Sequence, residues 1–376
     1  MDARPATDER KLVAFVLPDL RGGGVERITI ELMGEFLRRG YRVDLVLARK
    51  DGEFLGLVPQ GVRLFVLGTS RLRQMLVPLR RYIETERPDA IRASMWPLTV
   101  MAIIAAKSTM PRPRIVVSEH TLLTKKYRSG SAMRLKLLAT IFATYRFADG
   151  IAAVSTEVAA DVARLAAVPG KRVATIHNPV PAPLRSDQDP DALWGDATGS
   201  RILALGHLKK VKNFPFLIEA FKRLAERQDA TLAIVGEGEE RAALESIISG
   251  HGLERRVLLP GFSATPGDWL AGADLFVLSS EFEGFGNVLV EALHHGLPIV
   301  STDCPGGPAE ILGRGRWGRL VPPNEVVTLA EAMSAALAEH VDREELRRRA
   351  RDFSIESAAD CYCTLLFGRA DPHVGD

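Results

Sequence analysis

Between Ser279 and Ser301 the chain reads SSEFEGFGNVLVEALHHGLPIVS. Two carboxylates, Glu283 and Glu291, stand on either side of a glycine-containing turn in an E-x7-E arrangement. The turn joins a β-branched run, DLFVLSS, to an amphipathic one, NVLVEALHH. That change of period predicts a buried strand, a turn, and a helix from near Asn287 to Gly296. The backbone N–H groups of Gly286, Asn287 and Val288 then point out of the helix start, where they and the helix dipole favour an anion. Carboxylates accept hydrogen bonds. A pair of them flanking an anion site suits a ligand with hydroxyls on both sides of its phosphates, the layout of a nucleotide sugar.

Three more strand ends carry residues of the same kind. In LPDLRGGGVER, Gly22, Gly23 and Gly24 expose backbone N–H groups where a helix opens, but Arg27 fills the last glycine position of a G-x-G-x-x-G fingerprint, which disfavours a dinucleotide. In VVSEH, His120 lies just past a strand, as a substrate-facing histidine or a solvated cap. In LALGHLKKVKNF, His207, Lys209, Lys210 and Lys212 follow a strand; cations there suit phosphate, with a solvated lysine cluster as the plain alternative, and Asn213 is placed to cap the next helix. His294 and His295 read as cations at a helix C-terminus rather than a metal pair. Asp189-Pro190-Asp191 has the spacing of a metal-binding D-x-D but sits in a proline-rich stretch, and Cys361-x-Cys363 lacks the further ligands of a zinc site.

These positions need a frame of parallel strands, because ligands bind beyond the carboxyl ends of strands in open α/β sheets. The frame is visible as alternation. LVAFVL, RVDLVLA, VRLFVL, DAIRAS, RIVVSE and GIAAVS read as strands separated by helical stretches such as VERITIELMGEFLRRG. The pattern breaks at the linker-like Asn178–Ser200 and restarts with RILALG, TLAIVG, RVLLPG, DLFVLSS, LPIVST and WGRLVP. A chain of 376 residues suits two such domains. The expected division is 1–183, 184–352, and a final helical segment, 353–376, packing back on the first domain. Three cysteines argue for a reducing compartment. The polar start MDARPATDERK and the brevity of PLTVMAIIAA fit neither a leader nor a membrane span, so a cytoplasmic protein, at most lying on a membrane, is expected.

Together the motifs resemble the retaining, nucleotide-sugar-dependent glycosyltransferases of family four, over nearly the whole chain. The resemblance implies an α/β GT-B fold, two doubly wound Rossmann-like domains facing a central cleft. It implies that Glu283 contacts the donor sugar and Glu291 the ribose. GHLKKVKN gives Lys212 the donor diphosphate, with His207 where the family commonly has arginine. Gly23 and Gly24 lie beside the donor phosphates, and His120 lies near the reacting sugar. His120, Lys212 and Glu283 form the expected catalytic set. Phe262, Gly284, Phe285, Gly286, Asn287 and Val288 complete the expected donor pocket. STDCPGGPAEIL resembles the segment of enzymes that extend polyprenyl-diphosphate-linked glycans with hexose or N-acetylhexosamine. The donor implied is a UDP-linked sugar and the acceptor a lipid-linked or other saccharide, in cell-surface polysaccharide synthesis. No metal, cofactor or nucleic acid is expected. The fold also serves phosphorylases and epimerases, and a non-catalytic sugar-nucleotide-binding subunit stays open on His207 alone.

Charge adds a partner. Residues 1–183 hold 29 Lys and Arg against 17 Asp and Glu, net +12, while residues 184–376 are net −10, from 20 against 30. From Thr121 to Phe147 there is no acid, while Lys125, Lys126, Arg128, Arg134 and Lys136 line the expected acceptor side. An anionic membrane surface fits this stretch, which places the protein on the inner face of the cytoplasmic membrane.

Overall fold

The structure, a computed structural model, describes residues 10–368 apart from residues 22, 70, 129, 187 and 188. The chain divides into two compact units, Met1–Pro179 with Ile355–Asp376, and Val180–Ser354.

The first unit is built on seven parallel strands: β1 (Leu12–Leu17), β2 (Arg42–Leu47), β3 (Arg63–Val66), β4 (Ala90–Ser94), β5 (Arg114–Glu119), β6 (Gly150–Ala153) and β7 (Val173–Thr175). Their order, β3-β2-β1-β4-β5-β6-β7, reverses direction at β1, as in a doubly wound sheet. All six residues of β1 are buried, as expected of a parallel strand covered on both faces. The terminal helix Ile355–Phe367 closes the same core with Ala358, Ala359, Tyr362, Cys363 and Leu366. Cys361 is exposed and Cys363 buried, so the cysteine pair belongs to two faces of a helix.

The second unit has six parallel strands: β8 (Ser200–Leu205), β9 (Ala230–Val235), β10 (Val257–Gly261), β11 (Leu275–Leu278), β12 (Ile299–Thr302) and β13 (Arg319–Val321), ordered β10-β9-β8-β11-β12-β13. At the carboxyl ends the chains come very close. A Cβ on Gly236 would lie 2.0 Å from the Gly206 carbonyl oxygen, so only glycine fits there.

The proline-rich stretch before β8 departs from a simple linker. Asp189 caps a short helix, Pro190–Leu193, by accepting from the Asp191 N–H, and Asp191 pairs with Arg201. Trp194 is buried edge-on against Trp269 at 5.4 Å. The two aspartates of the D-x-D spacing thus have structural partners.

Candidate functional site

In the second unit the chain leaves β11 through Ser279 and Ser280 and enters the helix Asn287–His294 at Gly286, whose φ of 103° only glycine adopts readily. Glu283 lies in this turn. Its Oε1 accepts from Lys212 Nζ at 2.7 Å and from Ser280 Oγ at 2.7 Å. Lys212 arrives on the 3-10 turn Lys210–Lys212 that follows β8. Two further bonds join the loops: Ser279 Oγ donates to the Lys212 carbonyl at 2.7 Å, and the Glu281 N–H to the Val211 carbonyl at 2.8 Å. With side chains 18% and 14% exposed, Lys212 and Glu283 are screened far less than a surface pair.

The turn is set by a segment that the motif does not contain. A Cβ on Gly306 would lie 1.9 Å from the Glu283 carbonyl oxygen, and one on Gly307 would lie 2.3 Å from that of Phe285. The Glu283 N–H donates to the Pro305 carbonyl at 2.9 Å. Arg349 then holds the next helix, Pro308–Ile311, donating to the carbonyls of Ile311 and Glu310. Cys304, at the same place, is buried, and burial with the nearby Glu283 charge pushes its thiol up to about 12, so it stays protonated.

The other expected donor residues of this unit are distributed as follows. Gly284, Asn287, Val288 and Glu291 are half-buried along the turn and the first turns of the helix. Phe262, just past β10, is 77% exposed, and His207 is exposed. The Phe285 ring is buried against Phe353 at 5.4 Å. Asn213 stands at the N-cap of its helix but makes no side-chain cap bond. It has φ 49°, and its amide donates to Asn324. His294 Nε2 donates to the Val180 carbonyl at 2.8 Å, while burial lowers the His295 pKa, which disfavours His295 as a cation at the helix end.

In the first unit Gly22 lies outside the described residues. Gly23 is the N-cap and Gly24 the first residue of the helix Gly24–Arg38. The sequence reading overlooked Glu26, whose carboxylate turns back over this helix start: a Cβ on Gly23 would lie 2.1 Å from its Oε2. Burial raises its pKa. An acid in the first helical turn was the available signal.

Glu119 ends β5, His120 follows it, and the two enter different environments. Glu119, 1% exposed, accepts from Tyr145 Oη, from Thr99 Oγ1 at 3.3 Å and from the Trp96 N–H at 3.3 Å. Burial raises its pKa from the ordinary 4.5 to about 7. His120 Nε2 is 3.0 Å from Ser118 Oγ and 3.5 Å from an N–H of the buried Arg92. Burial, and then the Arg92 charge, lower the His120 pKa to about 3, so at neutral pH it is an uncharged imidazole.

Beyond His120, Lys125, Lys126, Arg128, Arg134 and Lys136 are all exposed. The helix Ser131–Thr144 buries Leu137 and Ile141 but leaves Leu135 (68%), Leu138 and Phe142 exposed at i, i+3 and i+7. A core-facing helix would have hidden these apolar positions.

One prediction follows from Glu119. Its carboxyl binds a proton more tightly in the folded chain, so the stability it contributes is full below pH 4.5 and is lost as pH rises to about 7. Denaturant titrations across that window should show Glu119→Gln less sensitive to rising pH than wild type. Parallel curves would contradict the assignment.

Two family models match the chain. Glycosyltransferase Family 4 matches residues 22–182, and Glycosyl transferases group 1 matches residues 199–339. Over 150 residues the chain is 35% identical to a Campylobacter jejuni 4-alpha-N-acetylgalactosaminyltransferase whose name specifies a diphospho-undecaprenol-linked substrate, an alignment of 40% of each chain. The alignments with the first relatives span less than half of those proteins' own lengths. The amylovoran biosynthesis glycosyltransferase AmsD of Erwinia amylovora is 26% identical over 93% of this chain and 95% of its own. Anabaena HepE, solved in complex with UDP, superposes with a TM-score of 0.77 at 23% identity, covering 96% of this chain and all of that one. The chain belongs to the family four, group 1 glycosyltransferases of the GT-B fold.

Proposed function

We propose that the chain transfers a hexose or N-acetylhexosamine from a UDP-linked sugar to a lipid-linked glycan, with retention of anomeric configuration, in cell-surface polysaccharide or glycoconjugate synthesis. The carrying observation is the Lys212–Glu283 pair beside the start of the helix Asn287–His294. It supplies a cation, backbone donors and a hydroxyl acceptor within one turn. On donor binding Lys212 turns to the diphosphate and Glu283, steadied by Ser280, to the sugar hydroxyls. Glu291 takes the ribose hydroxyls. The bond between the anomeric carbon and the phosphate oxygen breaks, and the electron pair leaves with the diphosphate. The acceptor oxygen bonds to the same face of the sugar, and its proton passes to the departing phosphate oxygen. Lys212, the helix N–H groups and the exposed His207 stabilise the charge that develops on the diphosphate. His120, uncharged, positions the sugar rather than acting as an acid.

The acceptor reading is supported by the diphospho-undecaprenol in the Campylobacter relative's name and by the exposed apolar and basic face of Ser131–Thr144. Leu135, Leu138 and Phe142 enter the boundary of an anionic bilayer while Arg134, Lys136, Lys125, Lys126 and Arg128 meet its headgroups. Among the described residues no helix is long and apolar enough to cross a membrane.

Two experiments test this reading. In a panel of nucleotide sugars with a lipid-linked acceptor, a UDP-sugar should be turned over, and Lys212→Met should lower kcat by roughly 100- to 1,000-fold, the scale for losing one transition-state donor. Absence of turnover with every donor would count against the enzyme reading. In liposome sedimentation, binding should require anionic lipid and weaken with salt. Reversing Lys125, Lys126 and Arg128 to glutamate should remove about 1 kcal/mol or more per residue. Equal binding to neutral liposomes would point to a soluble acceptor instead.

A further inference from the structure

Arg92 sits in the middle of β4 and is 1% exposed. Its NH1 donates to Thr29 Oγ1 at 3.2 Å, and its NH2 to Tyr362 Oη at 3.1 Å. The Tyr362 ring centroid is 4.5 Å from the guanidinium carbon, and that of Phe15 is 5.9 Å away. Nε is buried without a hydrogen-bond partner. Among the described residues no carboxylate lies within ion-pair distance of this guanidinium. A buried cation held only by hydroxyls and ring faces is costly to keep. Apolar residues of similar volume would fill the space at less cost, so the charge calls for an explanation beyond packing.

The group it faces is His120. Guanidinium nitrogen atoms carry hydrogens and have no acceptor. The imidazole nitrogen turned toward them, Nε2, is therefore the one with the lone pair. Ser118 Oγ, 3.0 Å from Nε2, is itself 2.9 Å from Ser94 Oγ, so a hydroxyl proton is also available to that lone pair. The imidazole proton then belongs on Nδ1, which is buried; the Asn178 side chain is a further polar neighbour of the ring. Glu119, although adjacent in sequence, is committed to Tyr145, Thr99 and Trp96. The charged group facing the imidazole is thus Arg92.

We infer that Arg92 is a positioning residue that fixes the His120 ring with its Nε2 lone pair toward the guanidinium and its proton on Nδ1, giving the transfer site a single imidazole tautomer. The inference rests on the reading of His120 as the residue beside the reacting sugar. Its use there is electrostatic. Positive charge develops on the sugar ring during transfer, and an imidazolium in contact with it would oppose that charge. The burial that depresses the His120 pKa acts in the same direction as the Arg92 charge. Through Tyr362, the terminal helix Ile355–Phe367 helps to hold the guanidinium in place.

The test is 15N NMR of the full chain labelled at histidine, with His120 assigned by the signal lost in His120→Gln. In wild type His120 should be one Nδ1–H tautomer that does not titrate across about pH 5–8, the range in which an ordinary imidazole does. Arg92→Met should move the His120 titration upward toward that window and mix its tautomers, and the acid side of the pH profile of kcat should shift with it while KM for the donor changes less. Arg92→Lys, which keeps the charge, should leave His120 neutral. Wild-type His120 titrating in the window, or carrying its proton on Nε2, would overturn the inference, as would Arg92→Met with an unchanged tautomer and profile. The wild-type spectrum decides even where Arg92→Met fails to fold. Because it needs no donor, its outcome is separate from whether the chain transfers sugar.

Discussion

Lys212 Nζ and Glu283 Oε1 meet at 2.7 Å, and much of the second unit exists to let them. Each charge on its own would be a partly buried ion without a counter-charge, which is costly. Together they satisfy each other, and a ligand that carries both phosphate and hydroxyl groups offers each a different partner. Such a pair is stable and exchangeable. Its geometry is held by main-chain bonds between the two loops and by Gly306 and Gly307, where any side chain would collide with the carbonyls of Glu283 and Phe285. The positive-φ glycines at the ends of β8 and β9 bring the neighbouring loops equally close.

The first unit solves a different problem at the end of β5. Consecutive side chains of a strand leave on opposite faces. Glu119 goes to a buried pocket whose hydroxyl and N–H donors only partly offset the burial that raises its pKa, and His120 to a buried place beside a guanidinium, where burial and then that charge disfavour a protonated imidazole. Two adjacent titratable residues thus acquire pKa values displaced in opposite directions, to about 7 and about 3, with burial the first cause of both.

Much of this was legible in the sequence because strand and helix periods are local signals. Each of the twelve runs read as strands lies in one of the two parallel sheets, and the helix at Asn287 begins where its period begins. Val173–Thr175, a three-residue strand, was not read from the sequence. The types of Glu283 and Lys212 were readable, but not that they touch, since 71 positions separate them. The type of Phe285 was readable in the motif, but not that its ring packs on Phe353, 68 positions away. Arg92 gave no sign at all: a basic residue in a short strand reads as an edge or solvent position, and only the packing of Thr29, Tyr362 and His120 around it gives it a role. The proline-rich segment misled for the opposite reason, its composition concealing a tryptophan buried as deeply as any core residue.

If the Lys212–Glu283 pair is the resting form of a donor site, binding of the nucleoside diphosphate must first separate it. Calorimetric titration of UDP into wild type and Glu283→Gln measures that cost directly. Removing the carboxylate charge leaves Lys212 free for phosphate, so the variant should bind UDP more tightly, by about tenfold, or ~1.4 kcal/mol, while losing transfer. Weaker UDP binding by Glu283→Gln than by wild type would contradict the account.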